Sequence, residues 1–378
     1  MPFPGRGSPY YSLGGGIAAG DELTRVRPTD IGPLLLQSVT ASRAQKRHVS
    51  RSRKGMLVKA VVYEKYGSPD VLELREVKTP TPKDDEVLIR IHAVSINDWD
   101  WGLLQGTPFM TRLLSGFLRP KKIILGSDIA GRIEALGENV KRFQLGDAVF
   151  GDLSGSWGGF AEYVCAPETA LALKPPSMTF AEAAAIPQAA MLAVQGLRDR
   201  GGIQPGQKVL INGAGGGVGT FAVQIAKLYG VEVTGVDSSS KLDLLRSLGF
   251  DKVIDYAQED FTRSGTRYDL ILDVKTNRSI FDYARALSPN GTYVTVGGSL
   301  ARLFQILFIG PLISMTTKKT ICVAMLKPNK DLAYMCELFE AGKVKPVIDR
   351  LRTLSEVPEA MRHFGAGDHK GKIVITLD

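Results

Sequence analysis

The sequence predicts an α/β protein in which a doubly wound parallel sheet is joined to a separate all-β body. One sign is a glycine-rich turn at residues 211–219, Ile-Asn-Gly-Ala-Gly-Gly-Gly-Val-Gly, between an apolar strand pattern and a helix-like stretch. Strand and helix patterns then alternate, which is typical of a parallel sheet. Before residue 179, short strand patterns punctuated by Pro and Gly indicate a β body.

Length, cysteine spacing and the lengths of the apolar runs limit the classes of protein to which this chain could belong. A chain of 378 residues is long enough for two or three domains. Its three cysteines (Cys165, Cys322 and Cys336) are far apart, so neither a disulfide framework nor a cysteine zinc site is indicated. No apolar run is long enough to span a bilayer.

Most of the basic excess lies in residues 1–55. This segment holds nine of the 47 Lys and Arg residues and three of the 39 acids, which leaves 38 basic and 36 acidic residues in 56–378. A net charge of +2 on the folded body argues against binding to nucleic acid. The segment itself is rich in Gly and Pro, has little apolar periodicity and is predicted to be a disordered basic extension.

Two interpretations of this extension remain open. Its basic, serine-containing part at 38–52 fits an organelle transit peptide, whereas Asp21, Glu22 and Asp30 do not. We expect an unfolded extension of a cytoplasmic protein, and organelle import through the extension is the alternative.

The β body is predicted over residues 56–178. Its strand patterns lie at 59–63, 86–93, 129–136 and 148–150. At Thr179 the pattern becomes helical, and Glu182 three residues later completes a capping box at the helix start. The second domain is therefore expected to begin at residue 179 and to extend to 342.

A dinucleotide site is predicted at the glycine turn. A strand pattern at 208–211, a helix pattern at 220–228 and a second strand pattern at 231–236 enclose it, and further strands are expected at 252–254, 270–274 and 292–296. Glycine lets the backbone approach a pyrophosphate, and the helix N-terminus offers N–H groups to that anion. The candidate cofactor contacts are Gly213, Gly216, Gly217, Val218, Gly219 and, after the fifth strand, Gly297.

The chain resembles the zinc-independent, quinone oxidoreductase-like branch of the medium-chain dehydrogenase/reductase superfamily over about residues 56–378. The resemblance rests on the glycine turn and on segments at 59–62, 67–72, 126–131, 146–149, 158–163 and 253–256. It implies a GroES-like β-barrel catalytic domain, completed by residues 343–378, into which a Rossmann domain is inserted. It also implies an active site in the cleft between the domains and a homodimer.

A metal-free site is expected from the residues at the two zinc-binding positions of the superfamily. Zinc members use a Cys on an early loop and a Gly-His-Glu segment. Here the early loop at 95–100 and the segment at 126–128 contain neither Cys nor His. His92 stands alone on a strand and is interpreted as a core or cleft histidine.

Without zinc, a bound nicotinamide would supply the hydride, and the protein would orient the reactants. Quinones and α,β-unsaturated carbonyls suit this chemistry because conjugation already makes the acceptor carbon electrophilic. By resemblance, Asn97 would contact nicotinamide or a substrate carbonyl and Asp100 matches the loop's acid, while Asp98 replaces the family's Pro. A metal-free alcohol dehydrogenase and a non-catalytic dinucleotide-binding or membrane-associated protein are the alternatives.

The end of the second strand carries opposing signals for cofactor choice. Asp237 is placed to bind a ribose hydroxyl and so to select NAD(H). Ser238, Ser239 and Lys241 resemble a cluster that holds the 2′-phosphate of NADP(H), and Tyr256 matches a tyrosine that packs nearby. We expect a slight preference for NADP(H).

One further segment, residues 303–316, is apolar and contains a Pro. It is too short for a membrane span. A dimer contact or a wall of the substrate site is expected, and contact with a membrane surface is the less favoured interpretation.

Overall fold

The computed structural model describes residues 55–107, 109–298 and 300–377. Apart from Gly55, the predicted basic extension lies outside these residues. The described part forms two domains, of which the first is a barrel whose strands are antiparallel except for the parallel pair of β14 and β15. Its strands are β1 (Leu57–Val62), β2 (Glu73–Lys78), β3 (Glu86–Ser95), β4 (Asp128–Leu136), β5 (Ala148–Asp152), β6 (Tyr163–Pro167), β7 (Ala172–Leu173), β14 (Ile348–Thr353) and β15 (Lys372–Thr376).

Strands from both ends of the chain form the barrel sheet. Its order is β14-β15-β3-β4-β5-β7, with β6 also paired to β3, while β1 and β2 form a separate antiparallel pair. Buried aliphatic side chains of β3 and β4, including Ile89, Ile91 and Ile129, fill its core. The C-terminal strand β15 pairs with β3 and with β14, so the last two strands of the chain belong to the barrel sheet.

Three helices belong to the barrel domain. They are α1 (Asp98–Gln105), α2 (Phe109–Ser115) and α11 (Val357–Ala366). Asn97 caps α1 and forms a capping box with Asp100, which fixes the loop that precedes the helix. The loop with the predicted catalytic residues is therefore held by its own side chains.

The second domain is a Rossmann fold with a six-stranded sheet in the order β10-β9-β8-β11-β12-β13. Every neighbouring pair in this sheet is parallel. The order reverses between β8 and β11, which is where such sheets bind ligands at the carboxyl ends of their strands. The strands are β8 (Lys208–Asn212), β9 (Glu232–Asp237), β10 (Lys252–Asp255), β11 (Tyr268–Asp273), β12 (Leu287–Thr295) and β13 (Thr320–Val323).

Helices cover both faces of this sheet and connect it to the barrel. They are α3 (Phe180–Ala185), α4 (Pro187–Val194), α5 (Gly217–Lys227), α6 (Leu242–Ser247), α7 (Ile280–Ala286), α8 (Leu300–Phe308), α9 (Gly310–Thr316) and α10 (Leu332–Glu340). The capping box of Thr179 and Glu182 begins α3, as the sequence predicts. Ala93 and Ala130 of the barrel share one buried cluster with Rossmann residues, so the two domains pack through a common core.

The structure corrects several predicted boundaries. Helix α5 begins at Gly217 rather than at residue 220, because the extended backbone of Gly216 already serves as its N-cap. Strand β12 begins at Leu287 rather than at residue 292, because Leu287 pairs with Tyr268 ahead of a register shift.

The apolar segment 303–316 forms most of helices α8 and α9. Phe304, Leu307, Phe308, Leu312 and Met315 on these helices are exposed. Within the described ranges, no helix has both the length and the apolar composition needed to cross a membrane.

Candidate active site

The glycine turn leaves space for a phosphate above Gly216. This residue has φ −85° and ψ −178° and is the N-cap of α5. A Cβ placed on it would meet no described atom closer than 3.7 Å. A Cβ on Gly219, in contrast, would lie 2.4 Å from the carbonyl oxygen of Ala214. Gly216 therefore faces the open side of the turn, whereas Gly219 allows close packing of the helix start on the turn.

The remaining predicted contacts of the turn lie around this space. Gly213 needs its positive φ of 82° to turn the chain out of β8. Gly217 and Val218 form the first turn of α5, whose free N–H groups suit an anion. The carbonyl of Gly297 accepts a hydrogen bond from the hydroxyl of Thr276 (2.6 Å). Gly297 follows β12 on the same carboxyl edge of the sheet.

Asp237 supports the turn from the end of β9. Its Oδ2 accepts a hydrogen bond from the N–H of Gly215 (2.7 Å), and its Oδ1 accepts one from the N–H of Ser238 (2.8 Å). Both oxygens thus hold backbone, a role that the sequence did not predict for this residue. The Asp237 residue is only 8% exposed, so its contact with a ribose stays a prediction.

Lys241 stands directly before α6 with its side chain inside the protein. It is buried, and its Nζ donates to the carbonyl oxygen of Gly367 (2.7 Å) and lies 3.7 Å from Asp237 Oδ1. Burial lowers the pKa of this ammonium. Ser239 and Tyr256 are exposed at the same edge, and Ser238 is partly buried. Their contact with a 2′-phosphate stays a prediction.

A C-terminal segment of the barrel domain lies directly on the glycine turn. The N–H of Gly371 donates to the carbonyl oxygen of Gly215 (2.8 Å), and Gly371 also forms a parallel bridge with Gly216. The side chain of Lys372 lies over Gly217, where its Cδ would be 2.7 Å from an added Cβ. This segment therefore connects the glycine turn with the barrel.

His369 is a residue of this segment that the sequence did not indicate as a site residue. Its ring stacks on Phe364 at a centroid distance of 4.7 Å and is buried. Its Nδ1 has no hydrogen-bond partner in the described part of the chain. Burial, together with the neighbouring Lys241 and other cations, lowers the pKa of His369 to about 3. The imidazole is therefore neutral beside the turn.

Asn97 lies directly before α1, and its amide is bound inside the protein. Its Oδ1 accepts a hydrogen bond from Lys372 Nζ (2.5 Å), and its Nδ2 donates to Ser127 Oγ (3.4 Å). The Asn97 residue is only 5% exposed. Its predicted contact with nicotinamide or substrate would require one of these hydrogen bonds to be shared.

Asp100 holds neighbouring backbone through its carboxylate, and its part in catalysis stays a prediction. It is fully buried, and its two oxygens accept from the N–H groups of Gly126 (2.8 Å) and Asn97 (3.0 Å). It therefore connects the two loops at which zinc relatives bind metal. Burial raises the pKa of Asp100 to about 7, against the effect of these hydrogen bonds.

The half-buried ring of His92 stacks on Phe180 at a centroid distance of 4.4 Å. Burial lowers its pKa. This packing agrees with its interpretation as a core or cleft histidine.

Comparison with known proteins agrees with this architecture. Residues 83–176 match the family model "Alcohol dehydrogenase GroES-like domain", and residues 248–375 match "Zinc-binding dehydrogenase". A chloroplastic quinone-oxidoreductase of Triphysaria versicolor is 33% identical over 338 residues, which cover 85% of this chain and 99% of the relative. The chain belongs to the zinc-independent, quinone oxidoreductase-like branch of the medium-chain dehydrogenase/reductase superfamily.

Two further members of the superfamily show the range of similarity. A chloroplastic NADPH-dependent alkenal/one oxidoreductase of Arabidopsis thaliana is 31% identical, with coverage of 84% of this chain and 79% of the relative. The structure of the quinone oxidoreductase from Coxiella burnetii has a TM-score of 0.77 at 28% identity and covers 85% of this chain and 100% of that chain.

The residues of this member of the superfamily do not fit a catalytic zinc ion. Asn97, Ser127 and Asp128 stand on the two loops that carry ligands in zinc members. The ammonium of Lys372 lies 3.9 Å from Asp128 Oδ2 and would repel a metal cation there. Residues 55–107, 109–298 and 300–377 contain no group of three His, Cys, Asp or Glu placed to hold a metal.

We therefore expect activity to survive removal of metal ions. After dialysis against a strong chelator, kcat should be unchanged, because no step requires a Lewis acid. Elemental analysis of the active protein should find zinc far below one ion per chain. Loss of activity on dialysis that zinc alone restores would contradict this prediction.

Proposed function

We propose that this protein transfers a hydride from NAD(P)H to a quinone or an α,β-unsaturated carbonyl. The proposal rests chiefly on one juxtaposition. The open phosphate site at Gly216 and the buried polar group of Asn97 and Lys372 lie on either side of the same C-terminal segment. A dinucleotide bound at the turn could extend from the first site to the second.

The hydrogen-bonded pair of Asn97 and Lys372, where we propose that the substrate reacts, favours a conjugated acceptor. Lys372 brings a positive charge to Asn97 without the polarising power of a metal ion. In a conjugated carbonyl the accepting carbon is already electrophilic, so hydrogen bonding and a nearby positive charge suffice. Simple alcohol–ketone exchange depends more on a metal or a general acid at the carbonyl oxygen.

In this proposal each part of the site has a separate task. A bound nicotinamide supplies the hydride. The turn around Gly216 and the N-terminus of α5 hold the pyrophosphate, and Asp237 keeps the turn in shape. Asp100 and Lys372 hold Asn97 in the cleft. Burial of these polar groups limits the access of water to the reacting atoms.

A steady-state assay tests the function. A panel of quinones, enones and alcohols is combined with NADPH, NADH and their oxidised forms. We expect oxidation of the reduced cofactor with quinones or enones and no reduction of the oxidised cofactor with alcohols. Alcohol oxidation would support the metal-free alcohol dehydrogenase, and cofactor binding without turnover of any acceptor would support the non-catalytic alternative.

We further propose a preference for NADP(H), for which Lys241 supplies positive charge near the end of β9. Lys241→Ala should weaken NADPH binding about tenfold more than NADH binding, since the loss of a nearby positive charge worth about 1.4 kcal/mol to the 2′-phosphate corresponds to a tenfold change. Asp237→Asn should move the preference towards NADPH by removing a negative charge from the same place.

The measurement for this prediction is the ratio of the two cofactor dissociation constants in each variant. Lys252→Ala is the control, because this lysine is the first residue of β10, whereas Asp237 and Lys241 lie where the strands end. An unchanged ratio in both Lys241→Ala and Asp237→Asn would show that these residues do not sense the adenosine ribose.

Assembly and location are also proposals. A homodimer is expected, which light scattering of the purified protein would test. The chloroplastic location in the names of the curated relatives favours the organelle alternative for the basic extension over the cytoplasmic expectation. Fusion of residues 1–55 to a fluorescent reporter would show whether they direct import.

A further inference from the structure

A row of buried ionisable side chains connects the reaction end of the cleft with the protein surface. Reduction of an enone consumes one proton for each hydride, so the proposed function requires a proton donor. Asn97 and Asp100 hold each other and the surrounding backbone, and neither is placed to donate. The candidates are the other ionisable groups of this cluster.

The inner end of the row is Lys372. Its Nζ donates to Asn97 Oδ1 (2.5 Å) and to the carbonyl oxygen of Ile96 (3.0 Å). The same nitrogen lies 3.9 Å from Asp128 Oδ2. Its side chain crosses Gly217 at the start of α5, between the phosphate site and the catalytic loop. The ammonium therefore stands where a bound cofactor would meet the substrate.

The middle of the row is a pair of carboxyl groups. Asp128 and Asp152 face each other directly across the antiparallel pair of β4 and β5, so their side chains lie on the same face of the sheet. Asp128 is 0% exposed and Asp152 is 2% exposed. Asp128 Oδ1 and Asp152 Oδ2 have no hydrogen-bond partner among the residues that the structure describes. A proton held by either member of the pair would reduce the cost of burying two carboxylates.

The outer end of the row is Ser154. Its hydroxyl donates to Asp152 Oδ1 (2.5 Å), and its N–H donates to the same oxygen (2.7 Å). Ser154 is only partly buried, and Gly155 and Ser156 after it are exposed. The row therefore ends at water.

The charges around this row favour retention of a proton. Burial raises the pKa of both Asp128 and Asp152, and repulsion by Asp152 adds to the rise at Asp128, while burial lowers the pKa of Lys372. Asp100 and the exposed Asp98 act on Lys372 in the opposite direction, by stabilising its charge. Neutral His369 also lies within electrostatic range of Lys372. The pKa of the Asp128 carboxyl group therefore moves towards that of the Lys372 ammonium.

We propose that Ser154, Asp152, Asp128 and Lys372 form a proton relay from solvent to the substrate, with Lys372 as the terminal donor. This inference rests on the proposed function. As the hydride forms a C–H bond at the β carbon, the electron pair of the C=C bond moves onto the carbonyl oxygen. The α carbon then takes a proton from the Lys372 ammonium. Asp128 reprotonates the amine, Asp152 reprotonates Asp128, and water replaces the last proton through the Ser154 hydroxyl.

Isosteric variants test the relay. Asp152→Asn keeps the side-chain shape but cannot carry the proton, and kcat for an enone should fall about 10²-fold. In Lys372→Met, kcat should fall at least as far. Ser154 is partly exposed, so Ser154→Ala still tests the relay if the variants of the buried residues do not fold. The matched control is Asp85→Asn, which removes an exposed carboxylate just before β3 that has no part in the relay, and should leave kcat within about twofold.

Three measurements distinguish proton transfer from a purely structural role of these residues. In wild-type protein kcat should fall as the pH rises above neutrality, because the donors must be protonated. In Asp152→Asn the solvent isotope effect on kcat should rise while the cofactor dissociation constant stays unchanged. Without any substrate, infrared difference spectra should show a protonated carboxyl band near neutral pH that Asp128→Asn and Asp152→Asn both alter.

The outcomes separate the relay from the proposed function. If wild-type protein reduces no quinone or enone, the proposed function fails, although the carboxyl band still reports the protonated pair. If wild-type protein is active and folded Asp152→Asn and Ser154→Ala retain its kcat and isotope effect, the relay is overturned.

Discussion

Replacement of Gly216 by valine is expected to abolish dinucleotide binding while the fold remains intact. The backbone of Gly216 has φ −85°, which valine adopts without strain, and no described atom lies within 3.7 Å of the new Cβ. The side chain would instead fill the space assigned to the pyrophosphate. At least two charge-assisted hydrogen bonds would be lost at about 1.5–3 kcal/mol each, which corresponds to a loss in affinity of roughly 10²- to 10⁴-fold.

Calorimetric titration of NADPH and NADH into the Gly216→Val protein measures this loss. Thermal unfolding of the variant without cofactor is the control, and its midpoint should match that of wild type within a few degrees. Unchanged cofactor affinity in a folded Gly216→Val protein would place the dinucleotide elsewhere. A large drop in the unfolding midpoint would show that the space above Gly216 is needed for packing.

The Rossmann half of the fold was predictable because its signals are local. The strand, turn, helix and strand around 208–237 follow one another within about thirty residues, and each has its own periodicity. The capping box at Thr179 is likewise a local pattern, and the structure confirms it. Boundaries were less predictable, since the N-cap role of Gly216 depends on a backbone conformation that glycine permits but does not require.

The contacts around Asn97 and Lys372 were less predictable because they join distant parts of the chain. Lys372 lies 275 positions from Asn97 in the sequence. Nothing in the apolar strand pattern of β15 marks its first residue as a site residue. The proposed role of Asp152 likewise depends on its register opposite Asp128 in the neighbouring strand. Sequence patterns within one segment do not encode such pairings.

For Asp237, the sequence identified the residue but not its role in supporting the glycine turn. The sequence places it at the end of β9, where it would bind a ribose hydroxyl. The structure shows both of its oxygens bound to backbone N–H groups. An acid at this position can therefore serve the shape of the turn as well as cofactor choice, and the sequence pattern is the same for both roles.

Replacement of Gly219 by valine is expected to have the opposite effect to Gly216→Val, with loss of stability as its primary result. A Cβ at Gly219 would lie 2.4 Å from the carbonyl oxygen of Ala214 and 2.5 Å from its Cα. Both are backbone atoms of the turn, so no side-chain rotation relieves the overlap. Either α5 or the turn must move, and both are packed in the buried core, α5 through Phe221 and Ala222 and the turn through Ala214.

We expect this overpacking to cost about 3 kcal/mol or more in the free energy of unfolding. Chemical denaturation without cofactor should show a lower midpoint for Gly219→Val at an unchanged slope, because the surface exposed on unfolding is the same. Gly219→Ala should show most of the same loss, since the overlap begins at Cβ, whereas Gly216→Ala should show almost none. Equal stability of the two alanine variants would contradict the different surroundings of the two glycines in this turn.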